Sequence, residues 1–77
     1  MTAPLAGIKV VEIANYVAVP AAATLLVDLG ADVVKVEALE GDPLRSFGRT
    51  PEGFSAPFEA LNRNKRCIAL DLEEPAA

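Results

Sequence analysis

The chain has no histidine, no tryptophan and a single cysteine, Cys67, among its 77 residues. One thiol cannot close an intrachain disulfide, and without histidine there is no recognisable zinc set, so both kinds of staple are missing. Aromatic residues make up only 5 % of the chain. The longest weakly polar stretch, Tyr16 to Val27, falls well short of the roughly 20 residues of a membrane span and contains Pro20. The opening stretch, "MTAPLAGIKVVEIA", has no basic leader region and carries Lys9 and Glu12 inside its first apolar run, so it does not read as a signal peptide. Positive charge is scarce too: 7 Lys and Arg stand against 11 Asp and Glu, for a formal net charge of −4 and a pI near 4.6. That balance argues against general nucleic-acid binding, which needs a basic footprint. A cytoplasmic location with no membrane partner is the expectation.

Apolar residues are plentiful: 52 % of the chain is hydrophobic, with a mean hydropathy of +0.31. A domain of this size buries only about 60 % of its unfolded surface. Below roughly 80 residues, a single unstapled core supplies only about 3–5 kcal/mol. So rich a core composition on so short a chain reads as part of something larger, or as a protomer that must associate.

Patterning along the chain is α/β. "IKVVEIA", 8–14, is a β-branched run bounded by Gly7 and Asn15 and reads as a buried strand. Pro20 suits the first position of a following helix, Ala21 to Leu29, with Leu25, Leu26 and Leu29 on one stripe. Gly30 stands where a left-handed residue would end it. "DVVKVE", 32–37, is a second strand, so the two strands and the helix predict a βαβ unit with parallel strands. Residues 38–57 hold three Pro and three Gly and form a long loop of the kind that is usually functional or mobile. A short helix at Pro57 to Leu61 and a third strand at 67–72 complete the reading.

No glycine occurs between Gly7 and Gly30, which excludes the glycine-rich dinucleotide fingerprint at the first strand-to-helix turn. That turn, "ANYVAVPAA", also lacks a Ser, Thr, Asp or Asn directly before Pro20, leaving helix N–H groups for an anion, a ligand, water or Asn15. The other feature is "LNRNKRCIAL", 61–70, which gathers three basic residues within four positions of an acidic chain. Asn62, Asn64, Lys65 and Arg66 there offer amides and cations for a phosphate-bearing ligand, or a solvated basic turn; spacing alone leaves both readings open. Asp42 before Pro43 reads as a turn former, and Cys67 as a small buried hydrophobe rather than a nucleophile. No catalytic group and no metal ligand set is visible.

The order "PLAGIKVVEIA", "VPAAATLLVDLGADVVKVEALEGDPLRSFG", "LNRNKRCIALDLEEP" resembles the N-terminus of the family III CoA-transferases over essentially the whole chain, Pro4 to Pro75. That group includes formyl-CoA transferase, carnitine CoA-transferase and α-methylacyl-CoA racemase. The resemblance implies an N-terminal, CoA-binding part, residues 1–77, of a larger Rossmann-like domain with an open parallel sheet. It implies that Asn62, Asn64, Lys65 and Arg66 lie by the phosphates and polar groups of CoA, and that Tyr16, Val17 and Ala18 approach its thiol end. CoA and acyl-CoA would be substrates rather than tightly bound cofactors, with a small carboxylic acid as the other partner. The full-length enzyme would be an interlocked homodimer that transfers CoA through an aspartyl-CoA thioester on an aspartate downstream of this segment. Two positions depart from the family pattern: Val19 replaces a glycine of the turn, and Ala38 replaces an arginine used on the nucleotide, with Arg45 the nearest substitute. A 2-methylacyl-CoA racemase is the alternative within the family, and a small non-enzymatic CoA-binding or association module the alternative outside it.

Overall fold

The computed structural model describes residues 3–76. They form β1 (Lys9–Ile13), α1 (Ala18–Asp28), β2 (Asp32–Glu37), a 3-10 turn (Pro43–Ser46), α2 (Ala56–Asn62) and β3 (Arg66–Ala69). The strands make one parallel sheet in the order β1-β2-β3. Register aligns Val10 with Val33, Glu12 with Lys35, and Lys35 in turn with Cys67. The α/β reading with a βαβ unit, a long loop and a third strand is therefore the observed architecture. Among the described residues no helix is long and apolar enough to cross a membrane.

α1 starts earlier than expected. Ala18 is its first residue, which puts the buried Pro20 at the third position rather than the first. The physical reason is that none of the first N–H groups of a helix has an intrahelical acceptor, so a proline anywhere in that turn sacrifices no bond. The other end matches expectation. Gly30 has φ +104°, its N–H donates to Val27 O (2.9 Å), and Ala31 N–H donates to Leu26 O (3.0 Å), the paired bonds of a Schellman motif.

The leucine stripe is not the buried one. Pro20, Ala23, Thr24 and Val27, spaced as one helical face, turn inward, while Leu25 (64 %) and Leu29 (45 %) remain exposed. Small residues let α1 lie close to the sheet, where Ala23, Ala31 and Val33 form the core with Leu5, Val10 and Val27 packed on it. α2 packs against α1 and the 3-10 turn. β3 runs from Arg66 to Ala69, shorter than the 67–72 expected, and Cys67 on this edge strand is exposed rather than a buried hydrophobe.

Alternation along the strands divides the sheet into two unlike faces. One carries Val10, Glu12, Val33, Lys35 and Glu37 and is covered by the helices and the loop. The other carries Val11 (67 %), Ile13 (68 %), Val34, Val36 and Ile68 (45 %), with no element of these residues upon it.

Candidate functional site

The covered face holds more charge than hydrocarbon. Glu12 and Lys35 face each other across the β1–β2 register, and both side chains are essentially without solvent exposure. Lys35 Nζ donates to Glu12 Oε2 (2.6 Å) and to Ala14 O (3.1 Å), and lies 3.0 Å from Asp42 Oδ2. That last approach is an ion contact rather than an aligned hydrogen bond, and Asp42 Oδ2 has no hydrogen-bond donor among the described residues. The second ammonium, Lys65 Nζ, reaches the other oxygen of Glu12, and donates to Asn62 Oδ1 (2.7 Å) and Pro20 O (2.9 Å). Two cations and two carboxylates thus balance inside the fold, as buried charges must.

Solvent exclusion and partners set the ionisation of each group. Burial pulls Lys35 down, but its bond to Glu12 and the carboxylate of Asp42 beside it outweigh this and hold it above the ordinary lysine value. Lys65 has one carboxylate instead of two, and burial pulls it below that value. Burial raises the Asp42 carboxyl, yet the N–H groups of Leu44 and Tyr16 together with Lys35 bring it below the usual aspartate range. Glu37 is lowered by its bonds to Arg45, which grips it at Nε (2.7 Å) and Nη2 (2.8 Å). Arg45 also lies 3.9 Å above the centre of the Phe58 ring, a cation–π arrangement.

Asp42 links this cluster to the β1–α1 turn. Its Oδ1 accepts from Leu44 N–H (2.9 Å), capping the 3-10 turn, and from Tyr16 N–H (3.1 Å). Tyr16 has φ +67°, a left-handed conformation that an L side chain rarely adopts, and its ring meets Phe47 edge to face at 5.9 Å. Directly after it stands Val17, the N-cap residue of α1, with no side-chain cap. Neither Asn15 nor any other side chain of the described residues serves there.

The seven residues expected at a ligand site fall into three settings. Tyr16, Val17 and Ala18 form an exposed turn beyond the carboxyl end of β1. Asn62 and Lys65 point inward: Asn62 donates to Phe58 O (3.1 Å) and receives Lys65, whose ammonium is fully enclosed against the first turn of α1. Asn64 is exposed with φ +63°, and Arg66, also exposed, pairs with Asp32 (2.8 Å) at the start of β2. Arg66 therefore reaches the start of β2, whereas Tyr16 follows the carboxyl end of β1, which lies level with Val36. Arg66 also alternates onto the uncovered face, in register with Val34.

Glu12 and Lys35 were not singled out by sequence reasoning, although a signal was present. "VVEIA" and "VVKVE" each set one charge inside a β-branched strand, and a charge on a buried strand face requires a partner of opposite sign. Asp42 is the turn former expected of it, and in addition a buried member of the cluster.

Comparison with known proteins places these features in a family. Residues 5–77 match the model of CoA-transferase family III. The chain is 47 % identical over 76 residues to the succinyl-CoA–L-malate CoA-transferase beta subunit of Chloroflexus aurantiacus, covering 96 % of this chain and 19 % of that protein. It is 45 % identical over 80 residues to the succinate–glutarate CoA-transferase of Agrobacterium fabrum, covering 94 % of this chain and 20 % of the relative. A crystal structure of a CAIB/BAIF family protein from Brucella suis superposes with a TM-score of 0.88 at 44 % identity, covering 99 % of this chain and 21 % of that one. An open parallel α/β sheet and a match over nearly every residue define the class: the chain belongs to CoA-transferase family III. It spans about a fifth of the length of the relatives it matches.

Proposed function

We propose that this segment is the N-terminal part of an enzyme that moves CoA from an acyl-CoA to a carboxylic acid, and that it supplies part of the CoA-binding wall. The observation that carries the reading is the family match over residues 5–77, joined to relatives that are themselves CoA-transferases. Asn64, Arg66 and the Tyr16–Ala18 turn are the surface positions of the binding set, and Asn62 with Lys65 supports them from inside. A turn beyond the carboxyl end of β1 and an amide and a cation at the start of β3 suit an elongated ligand with a thiol at one end and phosphates toward the other. The covalent step, an aspartyl-CoA thioester, belongs to an aspartate outside these residues, and the enzyme acts as an interlocked homodimer in the cytoplasm. Relatives named for succinyl-CoA make it the donor of choice, with L-malate or glutarate as acceptor.

The test is calorimetric titration of the whole enzyme with CoA at low salt, wild type against Arg66→Ala and Asn64→Ala. Charge-assisted bonds are worth about 1.5–3 kcal/mol and exposure reduces this, so Arg66→Ala weakens CoA by roughly tenfold. Equal affinity in both variants and wild type makes the basic stretch a solvated turn. Mass analysis after incubation with succinyl-CoA, with no acceptor present, finds CoA attached to a carboxylate that hydroxylamine releases. Epimerisation of a 2-methylacyl-CoA without transfer to any acid assigns the racemase activity instead.

A further inference from the structure

The buried charge cluster has a geometry that stability alone does not explain. A serine or asparagine caps a 3-10 turn as well as Asp42 does and buries no charge. Replacing a buried ion cluster by apolar side chains is often neutral or stabilising, so the cluster contributes little net stability for the desolvation it requires. It does fix a shape. Lys35 Nζ holds Ala14 O, on the strand side of the β1–α1 turn, and contacts Asp42, whose Oδ1 holds Tyr16 N–H on the helix side. One ammonium therefore ties both limbs of the turn across two residues. The residue between the tie and the helix, Tyr16, stands at φ +67°, a conformation that costs an L side chain about 1–3 kcal/mol and persists only when its surroundings impose it.

We infer that Asp42, seated by Lys35, is a positioning residue for acyl-CoA binding: it clamps Tyr16 in the left-handed conformation, so that the turn and the uncapped start of α1 are presented to the ligand in one shape. The clamp rests on the reading that the Tyr16–Ala18 turn meets CoA. Lys65 reinforces it from the other side of Glu12, holding Pro20 O in the first turn of α1. The clamped segment is thus gripped at Ala14, Tyr16 and Pro20 by groups that meet at two buried carboxylates.

The experiment uses the whole enzyme with Asp42→Ala and Asp42→Asn, followed by hydrogen–deuterium exchange and by steady-state kinetics with succinyl-CoA. In Asp42→Ala, exchange rises in peptides covering 14–19 while α1 beyond Thr24 and the strands keep their protection. KM for the acyl-CoA rises about tenfold, with kcat nearly unchanged, as expected when binding alone loses pre-organisation. Asparagine keeps an oxygen for Tyr16 N–H but sets its NH2 toward Lys35 Nζ, so Asp42→Asn raises KM less than Asp42→Ala does. Both variants take the carboxylate from Lys35, and a general loss of stability would not separate them. Should Asp42→Ala fail to fold, the Asn variant still decides: its amide oxygen must keep exchange at 14–19 low while the loop loses its charge. Unchanged exchange at 14–19 in a folded Asp42→Ala enzyme overturns the clamp. Raised exchange with unchanged KM overturns its role in binding. A wild-type enzyme with no affinity for CoA removes the proposed function instead, and the exchange data then judge the clamp by themselves.

Discussion

Glu12 accepts from two ammonium groups on a strand whose other inward residue is the half-buried Val10, and among the described residues no second carboxylate reaches Lys65. Glu12→Ala therefore leaves Lys65 with carbonyl and amide oxygens only, and Lys35 with Asp42 and Ala14 O. Removing one partner of a buried ion pair costs about 3–5 kcal/mol. Glutamine does not rescue the site, because its NH2 would point at one of the two ammonium groups. Urea unfolding of the whole protein should show both variants destabilised, and a wild-type midpoint in either would mean the cluster is hydrated in solution. Gly30 is the second residue with no tolerated replacement. At φ +104°, an added Cβ would stand 2.5 Å from Ala3 Cβ and 3.3 Å from Ala6 N, against backbone that cannot give way. Gly30→Ala should lower stability by roughly 1–3 kcal/mol, and Gly30→Asn by no less, since both add the same carbon. Equal melting temperatures for Gly30→Ala and wild type would show that the N-terminal turn moves aside.

The loop after β2 behaves as an element although only four of its residues are helical. Glu37 accepts Asp42 N–H (2.8 Å) and grips Arg45, Asp42 caps Leu44, and Ser55 donates to Phe47 O (2.6 Å), so the chain from 37 to 55 is knitted by its own acids and hydroxyls. Both Asp42 and Glu37 have carboxyls held below their ordinary values. The unfolded chain then binds more protons than the folded one as pH drops past about 4, so their contribution is complete above the unfolded values, ~3.9 and ~4.3, and is lost as pH falls through the folded ones. Asp42→Asn removes one of the two groups, and the fall in melting temperature between about pH 5 and pH 3 should be shallower than in wild type. Parallel curves would mean Asp42 titrates alike folded and unfolded. The strands, the glycine cap and the loop could be read from the sequence because their signals are local: β-branched runs, Gly30 after an apolar stripe, prolines before turns. α1's true inward face could not. Its leucines outweigh Pro20, Ala23 and Thr24 in hydrophobicity, and only the closeness of the sheet favours the small side chains. Both sequence readings of Lys65, a ligand contact and a solvated turn, set its ammonium at the surface; its neighbours Arg63 and Arg66 are there, and the enclosure of Lys65 depends on a carboxylate 53 residues away in the chain.

At the scale of the whole segment, the two faces of the sheet set its behaviour as an isolated polypeptide. The helix-covered face satisfies its charges internally, whereas Val11, Ile13 and Ile68 stand open on the other, beside the half-buried Val34 and Val36. Parallel sheets are stable with both faces covered, and an apolar patch left open drives association. β1 and β3 are also edges, each with unpaired backbone groups. Residues 1–77 expressed alone should therefore self-associate or remain partly unfolded. Placing lysine at Ile13 and Val11 should shift the segment toward monomer, because those side chains lie on the open face and touch none of the buried cluster. The same pair of lysines in the whole enzyme should lower its stability, since a parallel sheet in a larger domain is covered on both faces. Sedimentation of both forms, with and without the substitutions, separates the possibilities. A segment that sediments as a monomer and melts cooperatively without them would show that one covered face and its buried charges are enough to hold the fold, and the apolar face would then need no partner.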